Sequence, residues 1–150
     1  MDRKDIKILD ILQKNGRITN KKLSELMKLS PPSVLERVKK LERSKIIKGY
    51  KAVLDREKIG RPILAFISAQ LEKNDKQSIK NFMDSLRELD EVLEVYQVTG
   101  RFDFLIKVSA KNLEDLNNII SEKVSSLDSV SKIETFLILN SIEDGYYPLS

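Results

Sequence analysis

Charged and hydroxyl side chains recur over residues 33–43 at spacings that place them on one side of a helix, namely Ser33, Glu36, Arg37, Lys40 and Arg43. We expect Arg37 to make a bidentate contact with O6 and N7 of guanine, and Glu36 to accept from N4 of cytosine. Ser33 would reach a base edge or a phosphate. Lys40 and Arg43 lie further along and would contact phosphates, which add affinity without sequence information.

A helix from about residue 31 to 44 must position these side chains. Val34, Val38 and Leu41 repeat at i, i+4 and i+7, which predicts an inward-facing apolar stripe. Pro31 and Pro32 suit the first turn of a helix, where a missing N–H costs nothing.

Two further helices are predicted before it. Residues 2–14 carry apolar side chains at helical spacing, and Gly16 then provides a stop. Thr19 or Asn20 can cap a short second helix that ends near Lys28. A short helix, a turn and a longer helix with a basic outer face are typical of the helix-turn-helix.

The start of the second helix adds polar and positive groups, Asn20, Lys21 and Lys22. The free N–H groups of a helix N-terminus beside these side chains can bind a phosphate. The alternative is that both helices present an ordinary solvated charged face to water.

Charge is distributed unevenly along the chain. Residues 1–60 hold 17 Lys and Arg against 8 Asp and Glu, a net of +9, whereas residues 61–150 hold 10 against 15, a net of −5. This split favours a basic module that faces a polyanion, joined to an acidic one. A chance fluctuation on a highly charged chain is the alternative.

The chain contains neither Cys nor His. It therefore has no thiolate nucleophile, no imidazole base and no Cys/His zinc site, so an enzyme is disfavoured and no metal or cofactor is expected. No apolar stretch is long enough for a membrane helix, which favours a cytoplasmic protein.

Residues 46–54 alternate loosely around Gly49, which predicts a strand or wing, and residues 55–60 form a connector. We expect a DNA-binding domain over residues 1–54, a linker over 55–61, and a second domain over 62–150.

The second half has the order βαββαβ. Strands are predicted over residues 63–71, 92–98, 102–108 and 133–139, and helices over 76–89 and 113–127. This order is that of the ferredoxin-like fold, an antiparallel sheet with both helices on one face. The fold class is therefore α+β, a winged-helix-like helix-turn-helix followed by a ferredoxin-like domain.

Both faces of this sheet carry apolar side chains. In the first strand Leu64 and Phe66 lie opposite Ile63, Ile67 and Leu71. In the last strand Phe136 and Ile138 lie opposite Ile133, Leu137 and Leu139. Since no third helix is available to cover the second face, we expect another copy of the chain to cover it. A homodimer would also place two recognition helices about one DNA turn apart.

The segment Thr99-Gly100-Arg101-Phe102-Asp103 joins the second and third predicted strands. Taken alone, the G-x-x-D spacing is most simply a hairpin turn in which Gly adopts a positive φ.

In its order of motifs the sequence resembles the Lrp/AsnC (feast/famine) family of bacterial and archaeal regulators. The resemblance spans nearly the whole chain and rests on residues 5–9, on Leu29, Ser30, Val34 and 37–41, on 46–50, and on 95–104.

The resemblance implies a homodimer formed through the C-terminal halves, often assembled into tetramers or octamers, that regulates genes of amino-acid metabolism. In members that respond to an amino acid, the effector binds near the turn that matches residues 99–103. The N–H groups of Gly100 and Arg101 can hold a carboxylate, Asp103 can pair with an ammonium, and Thr135 can add a hydroxyl. Thr99 belongs to the same turn.

Two features depart from the family pattern. Ser44-Lys45 stands where a glycine often precedes the short strand, and Pro31-Pro32 is an unusual entry to the third helix. The nearest rival to a regulator is an architectural DNA-binding protein of the same fold with little sequence preference. An enzyme lacks a convergent constellation, and a purely protein-binding module leaves the basic half unexplained.

Overall fold

The computed structural model describes residues 1–143 and 145–149, which divide into two compact units. One unit comprises Met1–Val53 with the chain from Ile142 onward, and the other comprises Leu54–Ser141. The division differs from the expected one at the C-terminus, since the last residues belong with the first unit.

The first unit begins with three helices, α1 (Arg3–Lys14), α2 (Asn20–Met27) and α3 (Pro31–Arg43). Each has a side-chain cap: Asp2 forms a capping box with Asp5, Thr19 caps α2, and Ser30 caps α3 ahead of its two prolines. These caps satisfy N–H groups that have no partner within the helix, so local sequence fixes where each helix begins.

The three helices enclose a small apolar core of Ile8, Leu23, Met27, Val34 and Leu41. Lys28 ends α2 in the left-handed conformation at φ 53°, and the next residue donates its N–H back to Ser24 O at 3.1 Å. This closed turn leads directly into α3 and completes the helix-turn-helix.

A strand or wing was expected over residues 46–54, and the structure forms no strand there that pairs within the described part of the chain. The N–H groups of Ile46 and Ile47 instead bond Leu41 O at 3.1 Å, and Tyr50 Oη donates to Glu42 Oε1 at 3.0 Å. The start of the segment is therefore tied to α3, and residues 51–54 are exposed and lie outside any helix or strand.

The C-terminal residues pack on α1. Nε2 of Gln13 donates to Tyr147 O at 3.0 Å, and Tyr147 N donates to Gln13 Oε1 at 3.0 Å. Tyr147 and Leu149 line an open groove of about 370 Å³ with apolar residues of α1 and of residues 46–50.

The second unit opens with a turn that Asp55 caps, accepting from the N–H groups of Glu57 and Lys58, and Gly60 completes it at φ +75°. Arg61 then anchors the chain to the sheet: Nη2 donates to Ser109 O at 2.6 Å and Nε to Ser109 Oγ at 2.9 Å.

A four-stranded antiparallel sheet forms the second unit, in the order β2-β3-β1-β4. Its elements are β1 (Ile63–Leu71), α4 (Lys76–Arg87), β2 (Val92–Gln97), β3 (Phe104–Ala110), α5 (Leu113–Asn118), which continues as a π-helical segment (Ile119–Val124), and β4 (Val130–Leu137). The ferredoxin-like fold and the α+β class are confirmed.

The helices pack on one face of the sheet. Ala65, Ile67 and Ile106 from the strands meet Phe82, Leu86 and other residues of the helices in one buried cluster. The rings of Phe82 and Phe104 lie 4.9 Å apart at 52°, a favourable tilted geometry for an aromatic pair.

Two strands begin at residues other than those predicted, because backbone pairing and not the apolar pattern decides where a strand starts. β4 begins at Val130 rather than 133, because a register shift at Gln70/Leu71 lets Val130 pair with Leu71. β3 begins at Phe104 rather than 102, since Phe102 is buried within the preceding turn.

Among the described residues, no helix combines the length and the apolar character that crossing a bilayer requires.

Candidate functional site

The outer side of α3 carries most of the side chains predicted to contact DNA. Ser33, Glu36, Lys40 and Arg43 are all exposed, as is Lys39. Lys39 lies about 140° from the stripe of Val34 at 100° per residue, so the same helical geometry could have identified it from the sequence. Neither Lys39 nor Lys40 forms an ion pair with any residue that the structure describes.

Glu36 and Arg43 form an exposed ion pair, with Oε1 and Nη2 2.8 Å apart. The hydrogen bond from Arg43 lowers the pKa of Glu36, so the carboxylate stays ionised and can accept hydrogen bonds. Exposed ion pairs contribute little to stability, which leaves both side chains available to exchange partners when a nucleic acid binds.

Arg37 differs from its neighbours because it is only half-exposed and has intramolecular partners. Nη1 donates to Asp2 Oδ2 and to Asp5 Oδ1, both at 2.7 Å. The hydrogen bonds with Asp2 and Asp5 raise the pKa of Arg37, and the Asp5 backbone N–H together with Arg37 lowers the pKa of Asp2 to about 2.

The expected placement of Arg37 on the face opposite the apolar stripe was wrong. Three positions after Val34, its side chain leaves the helix only about 60° from that stripe, beside α1. The sequence signal for this arrangement is the Asp2-x-x-Asp5 capping box, which the periodicity of α3 alone does not contain.

Of the residues of α2 predicted to contact DNA, one has a structural role within the unit and two are exposed. The side chain of Asn20 donates Nδ2 to Pro31 O at 3.0 Å, which links the start of α2 to the start of α3. Lys21 is exposed, and Lys22 Nζ lies 3.3 Å from Glu25 Oε2. Asn20 therefore stabilises the helix-turn-helix, while the two lysines remain at the surface.

In the second unit, Asp103 closes the turn between β2 and β3. Its Oδ2 accepts from Leu71 N at 2.8 Å and its Oδ1 from Asn74 Nδ2 at 3.4 Å. Both oxygens thus have partners within the unit, which differs from the expected pairing with a ligand ammonium. Gly100 adopts φ +114°, a conformation that other residues rarely tolerate.

Around the same turn, Arg101 Nη2 lies 2.8 Å from Glu134 Oε2, and its guanidinium carbon lies 5.2 Å from the ring centre of Phe102. Lys132 Nζ approaches that ring at 5.8 Å. The backbone N–H groups of Gly100 and Arg101 donate to no residue that the structure describes.

Thr135 lies on the other face of the sheet from this cluster. It pairs with Ile67 and shares the side of β4 that carries Ile133, which packs with the helices. Glu134, which contacts Arg101, points to the opposite face because side chains alternate along a strand. The structure therefore separates the predicted hydroxyl from the turn's ion pair.

The face of the sheet that the helices leave open has an apolar centre and a charged surround. Phe66 pairs with Phe136 across β1 and β4, and Leu105 pairs with Tyr96 across β3 and β2. Phe136 is 48% exposed and Tyr96 46%. We call these four residues the sheet patch. Glu94, Lys107, Lys132 and Glu134 lie around it.

Comparisons with known proteins agree with this architecture. A family model described as winged helix-turn-helix DNA-binding matches residues 1–48, and the Lrp/AsnC ligand binding domain matches residues 64–148. The chain belongs to the Lrp/AsnC family and is a DNA-binding transcriptional regulator.

Curated relatives match over almost their whole length. The proline dehydrogenase transcriptional activator of Rhizobium radiobacter is 33% identical over 96% of this chain and 92% of its own. The leucine-responsive regulatory protein of Escherichia coli strain K12 is 32% identical over 97% of this chain and 88% of its own.

Solved structures give the same result. A transcriptional regulator of Neisseria meningitidis, crystallised as a complex with L-Met, superposes with a TM-score of 0.89 at 33% identity, covering 95% of this chain and 92% of that one. Escherichia coli AsnC superposes with a TM-score of 0.84 at 27% identity, covering 94% of this chain and 93% of that one.

Proposed function

We propose that this protein is a sequence-specific, homodimeric regulator of amino-acid metabolism genes that acts in the cytoplasm by binding rather than catalysis. The capped recognition helix α3 carries the proposal: it packs one side on α1 and α2 and exposes Ser33, Glu36, Lys40 and Arg43 on the other. Base contacts fall to Ser33 and Glu36, and phosphate contacts to Lys40, Arg43, Lys21 and Lys22.

An exposed carboxylate on the recognition helix favours specific over indiscriminate binding. Glu36 repels phosphates, so its presence weakens binding to arbitrary DNA, yet it can accept from cytosine N4 at a matching site. An architectural protein that binds through phosphates alone has no use for such a group.

The sheet patch supports dimerisation. Contiguous exposed apolar side chains ringed by charges are typical of protein interfaces. A two-fold axis through the open face would bring Phe66 and Phe136 of one copy against the same patch of the other. The same two-fold axis then relates the two recognition helices, which is what two half-sites spaced about one DNA turn require.

The turn after β2 supports an amino-acid effector. Its free N–H groups at Gly100 and Arg101 can hold a carboxylate in the way that backbone nests bind anions, with Thr99 beside them. The relative from Neisseria meningitidis was crystallised with L-Met, so L-Met is the first effector to test.

Selection of random DNA duplexes by the purified protein at about 0.15 M salt tests the proposal. We expect a pseudo-palindromic motif with half-sites about one turn apart. Salt-sensitive binding without a motif would favour an architectural protein, and absence of binding would refute DNA recognition by α3.

Titration calorimetry with L-Met and the other common amino acids tests the effector. We expect one of them to bind. Gly100→Ala should weaken that binding, because a side chain disfavours the φ of +114° that sets the direction of the two N–H groups, while Gly49→Ala, whose Cβ would meet no neighbouring atom, should leave it unchanged. Identical affinities of wild type and Gly100→Ala would contradict the placement of the site at this turn.

A further inference from the structure

An ionic cluster joins the first turn of α1 to the middle of α3. The capping box uses one oxygen of each aspartate: Asp5 N donates to Asp2 Oδ1, and Asp2 N donates to Asp5 Oδ2, both at 2.9 Å. The remaining oxygens, Asp2 Oδ2 and Asp5 Oδ1, accept from Nη1 of Arg37. The cap of α1 is thereby the binding site for an arginine of the recognition helix.

The contact with Asp5 is the better shielded of the two. The side chain of Asp5 is 10% exposed and that of Asp2 53%. A shielded carboxylate needs a charged partner and full hydrogen bonding, because its desolvation is otherwise uncompensated. The Asp5–Arg37 bond therefore constrains both helices, whereas the exposed Asp2 contact adds less.

Asn20 and Tyr50 hydrogen-bond to the two ends of α3, at Pro31 O and Glu42 Oε1, whereas apolar packing of its middle specifies rotation about the helix axis less sharply than distance from α1 and α2. Val34 and Leu41 fix the distance of the helix from its neighbours, but dispersion and burial are not directional. A rotation of about 20° around the axis moves side chains at a radius of roughly 5 Å by about 2 Å. Such a shift breaks hydrogen bonds to base edges, which need donor–acceptor distances near 3 Å.

We propose that Asp5 and Arg37 are positioning residues that fix the rotation of the recognition helix and so set DNA specificity without contacting a base. The proposal rests on the sequence-specific binding proposed above and deepens it. Base discrimination then belongs to the exposed residues of α3, whose orientation the ionic cluster maintains.

The test is duplex selection and binding by Asp5→Asn, Arg37→Ala and Arg37→Lys, at a temperature well below each melting point. Asp10→Asn is the matched control, since it removes the same charge from α1 at an exposed ion pair with Lys14. The readout is the ratio of affinities for the selected motif and for unrelated DNA.

We expect Asp5→Asn and Arg37→Ala to lower this ratio by a similar factor of about five to ten, and to relax preference across several base pairs together. Arg37→Lys should retain part of the ratio, because it keeps the cation opposite Asp5. Asp10→Asn should keep the wild-type ratio.

Two outcomes would overturn the positioning role while leaving the proposed function intact. If Arg37→Ala lost preference at one base pair and Asp5→Asn lost none, Arg37 would itself contact that base. If both variants melted earlier yet kept the wild-type ratio, the cluster would serve stability alone. A wild type that selects no motif would refute the proposed function and the positioning role together.

Discussion

The side-chain amide of Gln13, on the last turn of α1, donates to the backbone C=O of Tyr147 and accepts from its N–H. These two hydrogen bonds join residues that are 134 positions apart in the sequence. The residues that follow the sheet unit, from Ile142 onward, thereby belong to the helix-turn-helix unit. Leu149 lines the apolar groove beside Tyr147 and is half-buried there.

We predict that Gln13→Ala loosens the C-terminal residues. Losing both hydrogen bonds costs about 1 kcal/mol of local stability, so carboxypeptidase should remove the last residues about fivefold faster. Gln77→Ala, which deletes a same-helix bond to Asn81 on α4, is the control. Equal digestion of Gln13→Ala and wild type would show that the amide does not anchor the tail.

Asp103 should matter for the stability of the sheet unit. Asp103→Ala leaves the N–H of Leu71 without its acceptor, and an orphaned backbone donor costs about 1–3 kcal/mol. Urea unfolding measures this loss. Asp128→Ala, at an exposed position, should have little effect, and Asp103→Asn should be intermediate because its amide oxygen can still accept. An unchanged urea midpoint for Asp103→Ala would contradict this role.

Acid should weaken the cap of α1 in a defined range. The pKa of Asp2 falls from 3.8 to about 2 in the folded chain, so its contribution is complete above the ordinary value and is lost as pH falls toward 2. The difference in Tm between wild type and Asp2→Asn should be constant above about pH 5 and shrink below pH 4. If the difference in Tm instead grew as the pH fell, the pKa of Asp2 would not be lowered by folding.

Phe136→Asp should dissociate the proposed dimer. Each copy loses roughly 2 kcal/mol of apolar burial, so the dimer dissociation constant should rise by two to three orders of magnitude. Sedimentation velocity measures it. Leu113→Asp, at an exposed position of α5, should leave the assembly unchanged. If only Leu113→Asp produced monomers, the interface would lie on the helical side.

Lys40→Ala should weaken binding to every DNA sequence alike and reduce the slope of log affinity against log salt by about 1. Ser33→Ala should reduce affinity for the selected motif but not for unrelated DNA. Binding isotherms at several salt concentrations separate the two. Identical behaviour of both variants on all sequences would contradict the division between phosphate and base contacts.

Local signals specified much of this protein. Apolar residues at helical spacing, with the stop at Gly16, the cap at Thr19 and the prolines at 31 and 32, predict the three helices to within one or two residues. The run Ile63–Leu71 predicts β1 at its observed bounds. These signals suffice because capping and periodic burial involve residues only a few positions apart.

Partners distant in sequence were decided by the tertiary structure alone. Asp5 and Arg37 are 32 residues apart, as are Leu71 and Asp103. Charge and turn chemistry predicted ligand contacts for Arg37 and Asp103, but folding gave Arg37 an intramolecular acceptor and Asp103 an intramolecular donor. The same holds for Thr135, whose face of the sheet depends on the register with β1.

By itself, the sequence determined the order of elements, the charge difference between the two halves and the family, since each follows from local pattern and composition. Only the tertiary structure decided which polar groups remain free at the surface. A hydrogen bond or ion pair forms wherever folding brings two groups together, and the groups left over are those that DNA, an effector or a second copy can contact.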